Sequence, residues 1–453
     1  MRSLFAFLKR RWPYVLAAVV VLGGIAGLVV YNTWIKAPGD VTDENAEFQD
    51  TEDQPAPPPE QPKAKKKRRK VETFVWPDFG YTPNRARYLA NGAQPPFKMI
   101  WKYRGHRQLM EFPPVLAKGS LYIVRNDGVA VGLNAKTGHV KWQRRIGSLN
   151  ASSPGYDRGR LYVATLSGHI TALRAKTGRI LWRKKLASRS ESSPIVVNNR
   201  VFFGSESGTV YAMDASTGRM AWTYKAGGAV KGALAFSDGK LFFGDYGGSV
   251  TALDLRGRRV WKTGTSGRSF GRVGRVYSTA AVKFGRVYLG SLDGRVYSFV
   301  ARTGKLAWSH STGGYVYASP AVARPRGVGP TVFIGSYDGN FYALDARNGK
   351  QRWKHGAGGK ISGSPTVVGG IVYFANLGAK ETSGLDVRNG RRVFKYPRGS
   401  FTPVIADDKR MYLTGYTTLY GFVPKDSPEA HPKKKSKKRE RDGSRSRDRS
   451  RSR

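Results

Sequence analysis

The 453-residue sequence contains no cysteine. That absence removes disulfides, thiolate metal sites and cysteine nucleophiles together. Acidic residues are scarce as well: 31 Asp and Glu face 78 Lys and Arg, for a formal charge of +47. A hard-cation site takes several oxygen ligands, and so few carboxylates make one difficult to assemble. Of the six histidines, His310 and His355 each follow a Trp by two residues in separate segments, and no third ligand continues the pattern. No GxxxxGK phosphate loop and no nucleophile elbow occurs. The sequence therefore assigns no catalytic residue and no metal ligand.

What is present is a repeat. AKTGHVKW ends at Trp142, AKTGRILW at Trp182, ASTGRMAW at Trp222, LRGRRVW at Trp261, ARTGKLAW at Trp308, ARNGKQRW at Trp353 and VRNGRRVF at Phe394. A period of roughly 40 to 45 residues marks a radial or solenoidal array. Each unit reads as four short strands of β-branched and aromatic residues separated by Gly, Asn and Asp turns. Gly208, Gly294 and Gly339 fit hairpins that need positive φ. Four-stranded units of this length are propeller blades, which bury their faces against their neighbours. On that reading Trp101, Trp142, Trp182, Trp222, Trp261, Trp308 and Trp353 are packing residues between blades.

The ends of the array predict how it closes. After Phe394 three further strands run through TPVIADD, RMYLTGY and TTLYGFVP, and the fourth is missing. Upstream, MIWKYRG places Trp101 where such a fourth strand would lie. An open blade exposes an unpaired edge, so the two should complete one another. The expected fold is an all-β, eight-bladed propeller over 97–424, closed by an N-terminal strand and monomeric.

The phrases YAMDASTGRMAW and YALDARNGKQRW resemble the pyrroloquinoline-quinone-type propeller repeat, shared by quinoprotein alcohol dehydrogenases and BamB-type outer-membrane assembly factors. The resemblance covers about residues 97–424. It implies either a non-enzymatic scaffold of the bacterial cell envelope or, as the alternative, a quinone-dependent oxidoreductase with an atypical active site. A quinone enzyme of this kind implies an acidic base, a calcium-binding carboxylate and amide set, and often a vicinal cysteine pair. This chain has no cysteine, and Glu191, beside Arg189, is the one acidic residue read in the matching loops. The scaffold reading is preferred, with no cofactor expected. BamB-type proteins are usually lipid-anchored through an N-terminal cysteine, from which this chain departs.

Outside the repeats, residues 13–35 form an uncharged apolar stretch long enough to cross a bilayer as a helix. Arg2, Lys9, Arg10 and Arg11 precede it, which predicts a cytoplasmic N-terminus (1–12) and a single-pass anchor in the cell membrane with the propeller outside the cytoplasm. A cleaved signal peptide is the rival reading. Residues 36–73 read as a disordered linker, acidic and Pro-rich, then basic in KAKKKRRK (63–70). Residues 74–96 form an aromatic lead-in to the propeller, and 425–453 a disordered basic tail.

Between Val71 and Pro424, 53 Lys and Arg stand against 18 Asp and Glu, so the propeller itself carries about +35. A field of that size attracts acidic partners and responds to salt. An envelope protein or an anionic polymer or lipid is the expected partner, ahead of nucleic acid, for which no recognised module appears. The loops that link each blade's outer strand to the next blade's inner strand hold the candidate binding residues: Arg104, Arg107, Arg189, Lys231, Arg268, Arg272, Arg275, Tyr315, Tyr317, Lys360 and Arg398. If these side chains converge, they form an anion-attracting funnel at the channel mouth.

Overall fold

A computed structural model describes residues 20–24, 39–50, 73–265, 274–401 and 404–431. Eight sheets, each built on four antiparallel blade strands, form an eight-bladed propeller. Blades 1 to 7 begin at the inner strands Val115–Ala117, Gly155–Asp157, Ile195–Val197, Ala235–Ser237, Ala281–Lys283, Ala321–Ala323 and Thr366–Val368. Blade 8 comprises Val404–Ala406, Met411–Thr414 and Thr418–Pro424, and its outer strand is Phe97–Arg104 from upstream. The register there sets Trp101 opposite Gly421.

The Gly and Trp of the repeat interlock neighbouring blades. Each Trp sits on an outer strand opposite a small residue: Gly132 for Trp142, Ala172 for Trp182, Ala212 for Trp222 and Ala343 for Trp353. A register shift follows at once in each pair, because the indole lies across the partner strand. The indole N–H then donates to the next blade: Trp142 to the Ala175 carbonyl at 2.8 Å, Trp308 to Ala346 at 2.9 Å, Trp353 to Val387 at 2.9 Å. Trp101 makes the same bond to Ala135 of blade 1 at 3.0 Å, which joins the last blade to the first.

Over each indole sits the turn glycine of that next blade. A Cβ on Gly349 would lie 2.7 Å from the Trp308 ring, and its φ of +75° is left-handed, so both geometry and space call for glycine. The seam between blades 7 and 8 is built differently. Phe394 has no indole N–H, and Phe97 meets it edge-on at 5.8 Å while Tyr396 packs on Tyr420 and Phe422.

Residues 74–89, read from sequence as a lead-in, close one end of the channel. Val75 and Trp76 pair with blade 1, and Tyr88 and Leu89 pair in parallel with blade 7. Between them the carbonyls of Pro77, Pro83, Asn84, Ala86 and Arg87 accept hydrogen bonds from inner-strand N–H groups of blades 2, 4, 5, 6 and 7. Inner strands otherwise present an unpaired edge toward the axis, and this segment caps it in six of the eight blades.

Two segments taken from sequence as disordered are seated on the propeller. Residues 39–50 lie along blade 5, where Val41 and Thr42 add a fifth strand outside Leu306–Ser311. Phe48 stacks on Phe284 at 5.5 Å, and Asp43 and Asp50 pair with Lys305 at 2.7 Å and Arg324 at 2.6 Å. Acidic side chains meeting a basic surface and one aromatic anchor order a segment whose composition alone suggests a coil. At the other end, residues 425–431 are ordered by Glu429, whose carboxylate accepts from Arg410 at 2.7 and 2.8 Å. Of the apolar stretch 13–35, all but residues 20–24 lies outside the described residues, as do Lys63–Lys70 and the tail beyond His431. Among the described residues no helix is long and apolar enough to cross a membrane.

Candidate functional site

Where the inner strands converge, the lead-in segment and the blade-linking loops enclose a cavity of about 330 Å³ on the propeller axis. Trp76, Phe79, Gly80 and Arg87 of the lead-in line it from one side. Loop residues line the rest, among them Glu111, Phe112, Glu191, Lys231, Tyr277, Tyr317, Tyr337 and Phe401. These loops recur at the same place in every repeat, so residues about 40 apart in sequence become neighbours around the axis.

One wall is polar and tightly paired. The Lys231 ammonium donates to Glu191 at 2.7 Å and to Glu206 at 3.2 Å, and the Tyr277 hydroxyl donates to Glu191 at 3.1 Å. Arg189 pairs with Glu206. Burial and the neighbouring Glu206 raise the Glu191 carboxyl above the usual range. For Glu206, burial alone would act upward, but bonds from Glu191 and Arg189 and the charge of Lys231 bring it below. Burial and the Glu191 charge push the Tyr277 phenol well up. Glu111 is raised too, first by burial and then by the charge of Glu191. Aromatic rings continue this wall: Tyr277 meets Tyr317 at 5.7 Å and Tyr317 meets Tyr337 at 4.7 Å.

Arg87 of the lead-in also lines the cavity. Arg87 is 3% exposed, lies 4.1 Å over the Phe79 ring, and has no protein hydrogen-bond partner for its Nε and Nη2. Burial, followed by repulsion from Arg85, lowers it to about 9.

The structure distributes the candidate loop residues unevenly. Lys231 and Tyr317 line the cavity, and Lys360 stands 5.7 Å from the ring of Tyr337, which also lines it. Tyr315 is exposed and packs edge-on against Tyr317 at 6.1 Å. Arg104, Arg107, Arg275 and Arg398 are exposed, and Arg189 is held by Glu206. Arg268 and Arg272 lie outside the described residues. Among the described residues the mouth carries mixed charge. Glu191 was read as a lone carboxylate paired with Arg189; it belongs instead with Lys231, Tyr277 and Glu111.

Glu111 and Arg87 escaped the sequence reading. Glu111 precedes the inner strand of blade 1 by the same few residues as Glu191 precedes that of blade 3, a signal that was there to find. Arg87 had none, because nothing in the repeat shows that a segment upstream of it enters the channel. His310, whose ring lies 3.8 Å from Asp40, and His355 stand on different blades. No group of three or more His, Asp or Glu placed to hold a metal occurs among the described residues.

The residues around the axis do not fit pyrroloquinoline quinone, a planar tricarboxylate that works with a divalent cation. Among the described residues, three ligand carboxylates would share the cavity with Glu111 and Glu191, with Lys231 already committed to two glutamates.

Comparison with known proteins places this architecture. A family model described as outer membrane protein assembly factor BamB matches residues 147–324 and 293–451. No curated protein matches the chain in sequence. Among solved structures, BamB from Moraxella catarrhalis aligns with a TM-score of 0.59 at 19% identity, over 73% of this chain and 98% of that one. A europium-containing methanol dehydrogenase aligns at 0.65 and 14%, over 77% and 98%. The quinohemoprotein alcohol dehydrogenase from Comamonas testosteroni aligns at 0.65 and 14%, over 77% and 80%. At these identities the likeness to solved structures shows the fold alone, whereas the family model spans about two thirds of the sequence. The chain belongs to the BamB family of pyrroloquinoline-quinone-like β-propeller proteins.

Proposed function

We propose that this protein is a non-enzymatic scaffold of the cell envelope, anchored in the cell membrane by residues 13–35 with its propeller outside the cytoplasm, and that its basic surface holds acidic partners. The observation that carries this reading is the seating of residues 39–50. An extended acidic segment adds a strand to the edge of blade 5, and Asp40, Asp43, Glu47 and Asp50 meet His310, Lys305, Arg302, Arg324 and Arg347. The propeller thus already binds, within its own chain, the kind of peptide the scaffold reading calls for: main-chain pairing gives the grip and charge gives the selectivity.

Outer strands of other blades carry the same chemistry, and among the described residues no fifth strand pairs with them. Lys141, Arg144 and Arg145 on blade 1, Arg183, Lys184 and Lys185 on blade 2, and Arg392 and Lys395 on blade 7 are exposed. Such edges also resist strand-to-strand aggregation, which is compatible with selective pairing to an acidic strand.

The test is retention of a synthetic peptide with the sequence of residues 39–50, and of anionic vesicles, on the immobilised full chain. Binding of the peptide at about 0.1 M salt that falls at least tenfold by about 0.5 M supports the reading. Retention that ignores salt, and that survives joint replacement of Arg183, Lys184 and Lys185 by Gln, overturns it. Joint replacement of Arg268, Arg272 and Arg275 asks in the same assay whether the loop face contributes. Membrane anchoring is checked separately by fractionation and protease protection of the full chain and of a chain starting after residue 38.

A further inference from the structure

The lead-in buries two arginines whose surroundings differ. Arg85 has Asp78 at 3.8 Å and donates from Nε and Nη1 to the carbonyls of Leu234 and Phe79. Arg87 is 3% exposed and lines the axial cavity, and among the described residues neither its Nε nor its Nη2 has a hydrogen-bond partner. Burial and the repulsion of Arg85 both work against its charge. A guanidinium buried without an anion is costly, and an oxyanion brought beside it recovers much of that cost.

Which two groups are open decides what fits. Nε and Nη2 project hydrogens from the same edge of the guanidinium, the edge that grips a carboxylate with two parallel bonds. The backbone behind it is held from both sides: the Arg87 amide donates to the Gly80 carbonyl at 3.1 Å, and the Arg87 carbonyl accepts from the Val367 amide at 2.9 Å. Its φ of +56° is left-handed, a conformation that in a non-glycine residue clusters at ligand clamps. The guanidinium lies 4.1 Å over the Phe79 ring, which in turn packs on Phe112 at 5.7 Å.

From this open edge we infer that the axial cavity binds a small monocarboxylate with an apolar body, its carboxylate taken by Nε and Nη2 of Arg87. Trp76, Phe79, Phe112, Phe401, Val404 and Ile405 line the same cavity and supply the surface for that body. A volume of about 330 Å³ is at the small end of ligand sites and takes one such molecule. Glu111 and Glu191 line it as well, and their repulsion favours a ligand with one carboxylate over one with several. The site is independent of the scaffold reading: it uses the axis, whereas partner capture uses the blade edges.

The experiment titrates the full chain, by calorimetry and ligand-observed NMR, with 3-phenylpropionate, its neutral amide 3-phenylpropanamide, and phenethylamine. The acid should bind at least about tenfold more tightly than the amide or the amine, as charged hydrogen bonds at a buried guanidinium predict. Arg87→Gln should bring acid and amide level, whereas Phe401→Ala, which trims the apolar wall, should weaken both and keep their ratio. An acid no tighter than its amide, a preference that survives Arg87→Gln, affinities that ignore Phe401→Ala, or no binding of the acid to the wild-type chain at about 10 mM overturns the inference. If Arg87→Gln fails to fold, the wild-type ranking and Phe401→Ala still decide.

Discussion

Asp78 offers a measurement of the energetics at the channel plug. Its side chain is buried, its pKa is raised to about 6 from 3.8, and the causes are burial first, opposed by Arg85 and aided by Asp157. Arg85 stands 3.8 Å away, close enough to attract but not to offset desolvation. The folded state therefore holds a proton on Asp78 between about pH 4 and pH 6 that the unfolded state releases. Stability rises with pH only where the unfolded chain binds more protons, so here it falls. The Asp78 contribution is fully present below about pH 4 and lost as pH climbs through about 6. A shift of roughly two units corresponds to about 3 kcal/mol.

Asn mimics the protonated form. Asp78→Asn should match wild type near pH 4 and exceed it by about 3 kcal/mol near pH 7. Denaturant unfolding of both full chains at a series of pH values gives the difference curve, which removes other titrating groups such as Glu111 and Asp245. A flat difference would refute the burial argument. A variant that loses stability relative to wild type as pH rises would show that the ion pair with Arg85 dominates.

Gly349→Ala combines a left-handed φ with a Cβ 2.7 Å from the Trp308 ring, and should cost about 2 to 5 kcal/mol. Gly159→Ala, with a φ of +83° and nothing within 4 Å, isolates the backbone component and should cost about 1 kcal/mol in the same unfolding assay. Trp308→Phe removes the bond to Ala346 from a fully buried indole and should cost about 1 to 3 kcal/mol, eased because Tyr288 also donates to that carbonyl at 3.1 Å. Replacing Asp40, Asp43, Glu47 and Asp50 by Asn or Gln should release residues 39–50 from blade 5. Hydrogen exchange reads this at the Asp43 and Gln49 amides, which donate to Ala307 and Phe284. Protection that persists in the variant would mean that strand pairing and Phe48 suffice.

The blades were legible because a propeller writes each unit out separately, so periodicity, turn glycines and the truncated final repeat all carry the same message. The interlock was half legible. The Trp residues read as packing, but a glycine and a Trp in one phrase suggest a contact with each other, whereas each meets its counterpart one blade away. Residues 39–50 and 425–431 were misread for a single reason: composition reports whether a segment can build its own core, and these borrow one. Asp43, Phe48 and Glu429 are meaningful only beside Lys305, Phe284 and Arg410.

The axial site shows the same limit more sharply. Counting basic loops gives a cationic funnel only if their side chains converge, and charge in a buried place is set by pairing. Lys231 and Arg189 are spent on Glu191 and Glu206, so their charges cancel locally while the exposed strand edges keep theirs. Exposed basic side chains line the outer strands of blades 1, 2 and 7, and the acidic segment docks at the edge of blade 5. An acidic partner would consequently be read at the strand edges. Raising salt should weaken that capture markedly and leave the partly buried Lys231–Glu191 pair little changed, since screening acts on exposed charges far more than on buried ones.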